Sequence, residues 1–201
     1  MTIKRVRIGL GALLFGIIVA PGRGESQVCP PAPGVCRTAG SSVFSFKDRG
    51  GAKNKLVWRW VKGQGTTVEE FLDPTTTVTT ALCIYAGTAA ALIGQATLPP
   101  SDTLWHVGNS LGADGLKIWY KDPAATTSGI RYVLLRSGGD GAARIIVKGR
   151  GADSPGVSTP LPMEDLPLVV QLHQDDGPPC WGATFTTRKV NHAAKVKLKG
   201  P

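Results

Sequence analysis

From Val43 to the C terminus the chain repeats one pattern: short runs with an apolar side chain at every second residue, broken by Gly, Pro, Asp or Asn. A period of two belongs to a strand, whose successive side chains point to opposite faces, whereas a helix repeats every 3.6 residues. The last run is the clearest, with Ala194, Val196 and Leu198 on one side and Lys195, Lys197 and Lys199 on the other. It predicts a half-buried strand whose lysine row is a solvated face or guards a sheet edge. The same alternation runs through Leu116, Ile118 and Tyr120; Ile130, Tyr132 and Leu134; Ala143, Ile145 and Val147; and Leu168, Val170 and Leu172. Further strand candidates are Val43 to Lys47, Lys55 to Lys62, Thr77 to Tyr85, Ala90 to Leu98 and Cys180 to Thr187. Short strands at this spacing predict an all-β domain, an antiparallel β-sandwich, jelly-roll-like or Ig-like, of about 8–10 strands. Thr67 with Glu70 forms a capping box, but Asp73-Pro74 ends it at once, so a turn or two of helix is expected.

The N-terminal segment reads differently. Lys4, Arg5 and Arg7 precede an apolar run from Ile8 to Ala20, and small residues follow at Ala20, Gly22 and Gly24. That is the layout of a secretory signal peptide, and the run is short of the roughly 20 apolar residues that span a bilayer as a helix. The expected organisation is a signal peptide over 1–22, cleaved after Gly22 or Gly24, a Pro/Gly-rich disulfide lead-in over 23–42, and one β domain over 43–201. The product would be exported to periplasm, cell surface or medium, with no transmembrane segment in the mature chain. Of the formal charge of +9, Lys4, Arg5 and Arg7 belong to this leader. The remaining excess is scattered, with no block of like charge and no nucleic-acid module, which argues against nucleic acid as partner. It favours weak attraction to anionic surfaces such as lipid head groups or acidic polysaccharide.

Four cysteines in an exported chain predict two disulfides. Pro30, Pro31 and Pro33 stiffen the short stretch between Cys29 and Cys36, so a local bridge is expected there. Cys83, in an apolar run, would then join Cys180, which opens another; three pairings remain open to four cysteines. No C-x-x-C is present and no His stands at zinc-site spacing from a Cys, so no metal site is expected.

One catalytic pattern occurs, the G-x-S-x-G of Gly108 to Gly112. Its mechanism needs a helix after the serine, and Ala113 to Tyr120 reads as a turn and a strand. Ser110 is the only candidate nucleophile, with His173 or His192 and Asp175 or Asp176 as unsupported partners, and the chain is not expected to be an enzyme. Glu69-Glu70, Glu164-Asp165 and Asp175-Asp176 are adjacent carboxylates, which on a strand point to opposite faces. Asp102, Asp114, Asp122, Asp140 and Asp153 fall at turns and are candidate ligands for a structural calcium; no other cofactor is expected. The aromatic residues carry the better functional signal. Trp119 has the parity of Lys117 and Lys121, opposite to Leu116, Ile118 and Tyr120, and Trp105 stands beside His106 in a loop-like stretch. Trp119, Trp105 and His106 are therefore the candidate ligand-contacting residues, because an exposed indole stacks on a sugar ring. Trp58 and Trp60 share the parity of Leu56 and belong to the core, and Trp181 is expected to pack on the disulfide of Cys180.

An ordered series of motifs adds to this reading. Cys29-Pro30-Pro31-x-Pro33-x-x-Cys36-Arg37 is followed by Leu56-x-Trp58-x-Trp60-x-Lys62-Gly63 and by Ala81-Leu82-Cys83-x-Tyr85. Tyr120-Lys121-Asp122, Gly129-Ile130, Gly141 to Lys148, Leu166-Pro167-Leu168, Val170-Gln171-Leu172 and Cys180-Trp181 complete it. Over nearly the whole mature chain this series resembles a family of uncharacterised exported bacterial proteins, departing from it at Ala86, where Asp or Asn is customary. The resemblance implies one exported domain and brings no activity, cofactor or catalytic residue with it. The expected function is a noncatalytic binding or surface-interaction module with carbohydrate as candidate ligand. The alternatives are a structural envelope or matrix protein and, behind it, a hydrolase using Ser110.

Overall fold

The computed structural model describes residues 28–109, 116–155, 161–175 and 177–201. The expected signal peptide, Ser110, Asp114 and Asp176 lie outside these residues. Twelve strands follow one another: β1 (Arg37–Lys47), β2 (Lys55–Gly63), β3 (Thr80–Ala86), β4 (Ala91–Leu98), β5 (Trp105–Asn109), β6 (Leu116–Lys121), β7 (Ile130–Arg136), β8 (Ala143–Arg150), β9 (Leu168–Gln174), β10 (Gly177–Phe185), β11 (Arg188–His192) and β12 (Lys195–Gly200). Among the described residues the helical content is two single 3-10 turns, one of them Glu69–Phe71, where the capping box was expected. Glu70 Oε2 there accepts from the Thr67 amide, which is the reach-back half of that box. No helix among these residues is long and apolar enough to cross a membrane.

The strands form one sheet in the order β4-β3-β9-β10-β1-β2-β8-β7-β6-β5, with β12 added to β1 and β11 to β12. The expected all-β fold is borne out, and the arrangement is a curled mixed sheet in place of a plain antiparallel sandwich. Arg37 and Thr38 of β1 pair in parallel with Trp181 and Gly182 of β10, and residues 42–47 of the same strand pair antiparallel with β12. By changing partner midway, β1 divides a curled mixed sheet into two regions. We call β4, β3, β9 and β10 the capped half, and β1, β2, β8, β7, β6 and β5 together with β12 and β11 the open half.

The inner faces of both halves share a core. Leu82, Ile84, Leu172 and Trp181 of the capped half join Phe44, Trp58, Trp60, Val147 and Leu198 of the open half. Two indoles tie the halves with hydrogen bonds as well as area. Trp60 Nε1 donates to the Gly182 carbonyl at 3.1 Å, and Trp181 Nε1 donates to Thr66 Oγ1 at 3.1 Å. Trp181 does not pack on the disulfide: neighbouring strand residues face opposite ways, so Cys180 points outward and the Trp181 ring lies inward, 4.8 Å from Phe71.

β3 is buried at every position, which explains why its sequence lacks alternation. Its inward residues Leu82, Ile84 and Ala86 enter the main core, and its outward residues Ala81, Cys83 and Tyr85 form a second cluster with Cys29. The cover is an extended strap, residues 28–36. Cys29 is bonded to Cys83 and Cys36 to Cys180, so the expected pairing of Cys29 with Cys36 and Cys83 with Cys180 is overturned. Geometry gives the reason. β3 and β10 are separated by β9, so the strap's two cysteines stand two strand spacings apart, ~9–10 Å, beyond the roughly 7 Å that a disulfide spans between Cα atoms. Between them Gln171 of β9 pairs with the strap backbone: Gly34 N–H donates to Oε1 at 3.2 Å and Nε2 donates to the Gly34 carbonyl at 2.7 Å. The Tyr85 hydroxyl donates to the Pro30 carbonyl at 2.9 Å, and burial pushes that phenol up to about 12. Gly182 lies close beneath this cover: a Cβ there would stand 3.2 Å from the Cys36 Cβ and 3.1 Å from Gln171 Cγ, a tight fit.

Candidate functional site

The outer face of the open half has no such cover among the described residues, and the registers place its side chains in rows across the strands. One row runs His106, Trp119, Leu134, Ile146, Arg59, Val43 and Lys199. Another runs Lys121, Tyr132, Lys148, Val57, Ser45 and Lys197. A third begins Lys117, Arg136 and Arg144. Trp119 and Tyr132 are half-buried rings on this face, and with Lys117, Lys121, Pro123, Arg131 and Lys148 they line an open groove of about 470 Å3.

Cations rest on both rings. Lys117 Nζ lies 4.9 Å from the Trp119 centroid and Lys148 Nζ 5.1 Å from that of Tyr132. Such contacts contribute about 0.5–1 kcal/mol each at an exposed site, and here they hold two ammonium groups at the groove in place of letting them sweep through solvent. Across the strands Tyr132 stands between Lys121 and Lys148. His106 lies beside the indole, with ring centroids 5.5 Å apart. Gly108, beside His106 on β5, leaves room for this: a Cβ there would stand 2.9 Å from Trp119 Cζ3. The glycine of the G-x-S-x-G pattern thus lies in a strand as a seat for the indole.

Of the three ligand candidates picked from sequence, Trp119 and His106 meet on this face and Trp105 does not. Trp105 opens β5 opposite Tyr120, which sets it on the inner side, 1% exposed and edge-on to the Tyr120 ring at 5.2 Å. Lys117, Lys121, Arg131, Tyr132 and Lys148 were missed as a group because they come from three strands and only the register assembles them. The lysine row of β12 is not at an edge either, since β12 pairs with β1 and with β11.

Two of the turn carboxylates, Asp122 and Asp140, are used by the protein itself. Asp122, between β6 and β7, accepts hydrogen bonds from the amides of Ala124, Ala125, Thr126 and Thr127 and from the Thr126 hydroxyl. Burial works to raise its pKa, but these donors outweigh it and hold the carboxyl below its ordinary value. A cation would have to displace donors from both oxygens, so Asp122 is an anchor of the turn that presents Lys121 and Tyr132. Asp140 Oδ1 likewise accepts from the Gly65 amide at 2.5 Å. Among the described residues the one group of three metal-capable side chains is Cys36, His173 and Cys180, with donor atoms within 4.8 Å of one another. The two sulfurs are bonded to each other, so no thiolate is on offer. His173 Nε2 meets Gln171 Oε1 at 2.9 Å, and burial holds the imidazole below its ordinary pKa.

Comparison with known proteins found no family model, no curated protein and no solved structure that matches this chain.

Proposed function

We propose that the chain is an exported, noncatalytic binding module that holds an acidic saccharide in the groove around Trp119 and Tyr132. One observation carries this reading: two half-exposed rings lie among Lys117, Lys121, Arg131 and Lys148, and no Asp or Glu occurs in any of the twelve described strands. An aromatic surface takes the apolar face of a sugar, and fixed ammonium and guanidinium groups take its carboxylate or sulfate. The two disulfides favour an oxidising compartment. Titration of tryptophan fluorescence with acidic and neutral oligosaccharides tests it. The expected result is saturable quenching by the acidic series alone, lost in Trp119→Ala. An equal response to both series, or none to either, would contradict it.

A further inference from the structure

A second cationic feature borders the groove. In consecutive strands β8, β2, β1 and β12, the side chains Arg150, Lys55, Lys47 and Lys195 stand directly opposite one another, and His192 of β11 faces Lys195. All four share the outer face with the groove, and Arg150 is two residues along β8 from Lys148, which lines it. None of the four has a carboxylate within ion-pair distance among the described residues. Asp153 borders the Arg150 end and Asp48 the Lys47 end, the latter accepting from the Gly50 amide. Directly opposed like charges destabilise a sheet, so this row works against the fold that carries it. Ammonium groups one strand spacing apart also lie within the ~8 Å screening length of physiological salt, so their potentials add over the row.

We infer that groove and row form one track for a linear acidic polysaccharide, laid across the strands and not along them. Its path starts at Trp119 and Lys117 on β6 and crosses Tyr132 on β7 and Lys148 and Arg150 on β8. It continues over Lys55 on β2 and Lys47 on β1 and ends at Lys195 on β12. Six adjacent strands span an arc of ~24 Å at ~4.8 Å per spacing. A single sugar reaches only the groove, whereas a polymer with charge on successive units engages both parts. A bilayer is the poorer match, because among the described residues the exposed large apolar side chains, Val35, Leu72 and Val107, are off this face: Val35 in the strap, Leu72 after a 3-10 turn, and Val107 with the opposite parity to His106 and Gly108.

This inference rests on the groove binding an acidic saccharide, and the test separates the two. Calorimetric titration uses oligogalacturonates of defined, increasing length with the wild type and with the triple variant Lys47→Gln, Lys55→Gln, Lys195→Gln, whose folding is checked by circular dichroism. The wild type should bind the shortest oligomers weakly and gain about tenfold to a hundredfold once the oligomer exceeds ~24 Å. The triple variant should bind short oligomers as the wild type does and lose that gain. Equal affinity for short and long oligomers, or a gain that survives in the triple variant, would overturn the track while leaving the groove. Failure of every oligomer to bind the wild type would overturn the groove reading itself. Tighter binding of a single-stranded oligonucleotide of equal length at the same salt would replace the saccharide as the polymer.

Discussion

The capped and open halves of the sheet follow the same inward alternation and finish with opposite outer surfaces. Strands β3, β4, β9 and β10 contain no Lys, Arg, Asp or Glu, and a disulfide-bonded strap lies over Ala81, Cys83 and Tyr85. Strands β1, β2, β6, β7, β8 and β12 all carry Lys or Arg, no carboxylate, and no strap. A charge-free outer face has to be covered, and its cover leaves no room for a ligand. A cationic outer face stays in water by itself and is free for one. The pair of surfaces separates where stability is made from where binding is offered.

The largest effect expected from breaking that division is on the strap. Replacing Cys36 and Cys180 by Ala opens a bridge with a sequence separation of 144, which the chain-entropy model rates at about 5 kcal/mol. Denaturant unfolding should show a loss of about 2–5 kcal/mol with saccharide binding by the refolded protein intact; a loss below about 1 kcal/mol would mean the capped half closes without its strap. Next comes the turn that presents the groove. Asp122→Asn should cost about 1.5–3 kcal/mol at neutral pH, since it weakens several charge-assisted bonds at once. The folded-state pKa is depressed, so this contribution is present above the ordinary aspartate value near 4 and is lost as pH falls through the folded value. The gap between wild type and variant should therefore close in acid.

A smaller effect is expected at Tyr85. Tyr85→Phe removes the bond to Pro30 and should cost about 1 kcal/mol. The raised folded pKa means the phenol's contribution is full below the ordinary pKa of 10.0 and disappears as pH rises toward about 12. Wild-type stability should fall across that window more steeply than that of the variant, as read by tyrosinate absorbance during alkaline unfolding. The smallest effect has the opposite sign. Lys47→Gln relieves the apposition with Lys55 and Lys195, so at low salt it should raise stability by about 0.2–0.5 kcal/mol, a gain that added salt erases. If all four variants changed stability and binding together, the division into two regions would be wrong.

The open half was the more legible from sequence because each of its strands has one wet face, so runs such as Ala143, Ile145 and Val147 show their period directly. The capped half hid its geometry. β3 is covered on both sides and reads as an unbroken apolar run, and the small loop between Cys29 and Cys36 looks local until its residues are seen stretched over three strands. The stretch around Trp105 and His106 looks loop-like in sequence, whereas it is strand β5, which turns Trp105 inward. The groove lay outside what spacing alone can give. Trp119 announced itself by parity between two lysines, but Tyr132 and Lys148 join it only through the register of β6, β7 and β8. Likewise Arg150 and Lys195 are far in the chain from Lys47 and Lys55, and the four become a row only when four strands pair.

Lysine footprinting in the presence of polygalacturonate tests the central claim most directly, because it asks which face meets the polymer. Protection of Lys117, Lys148, Lys55, Lys47 and Lys195 from acylation, with Lys62 and Lys189 unchanged, is the predicted result. Even protection of all lysines, or protection confined to Lys62 and Lys189, would contradict the track assigned to the outer face of the open half.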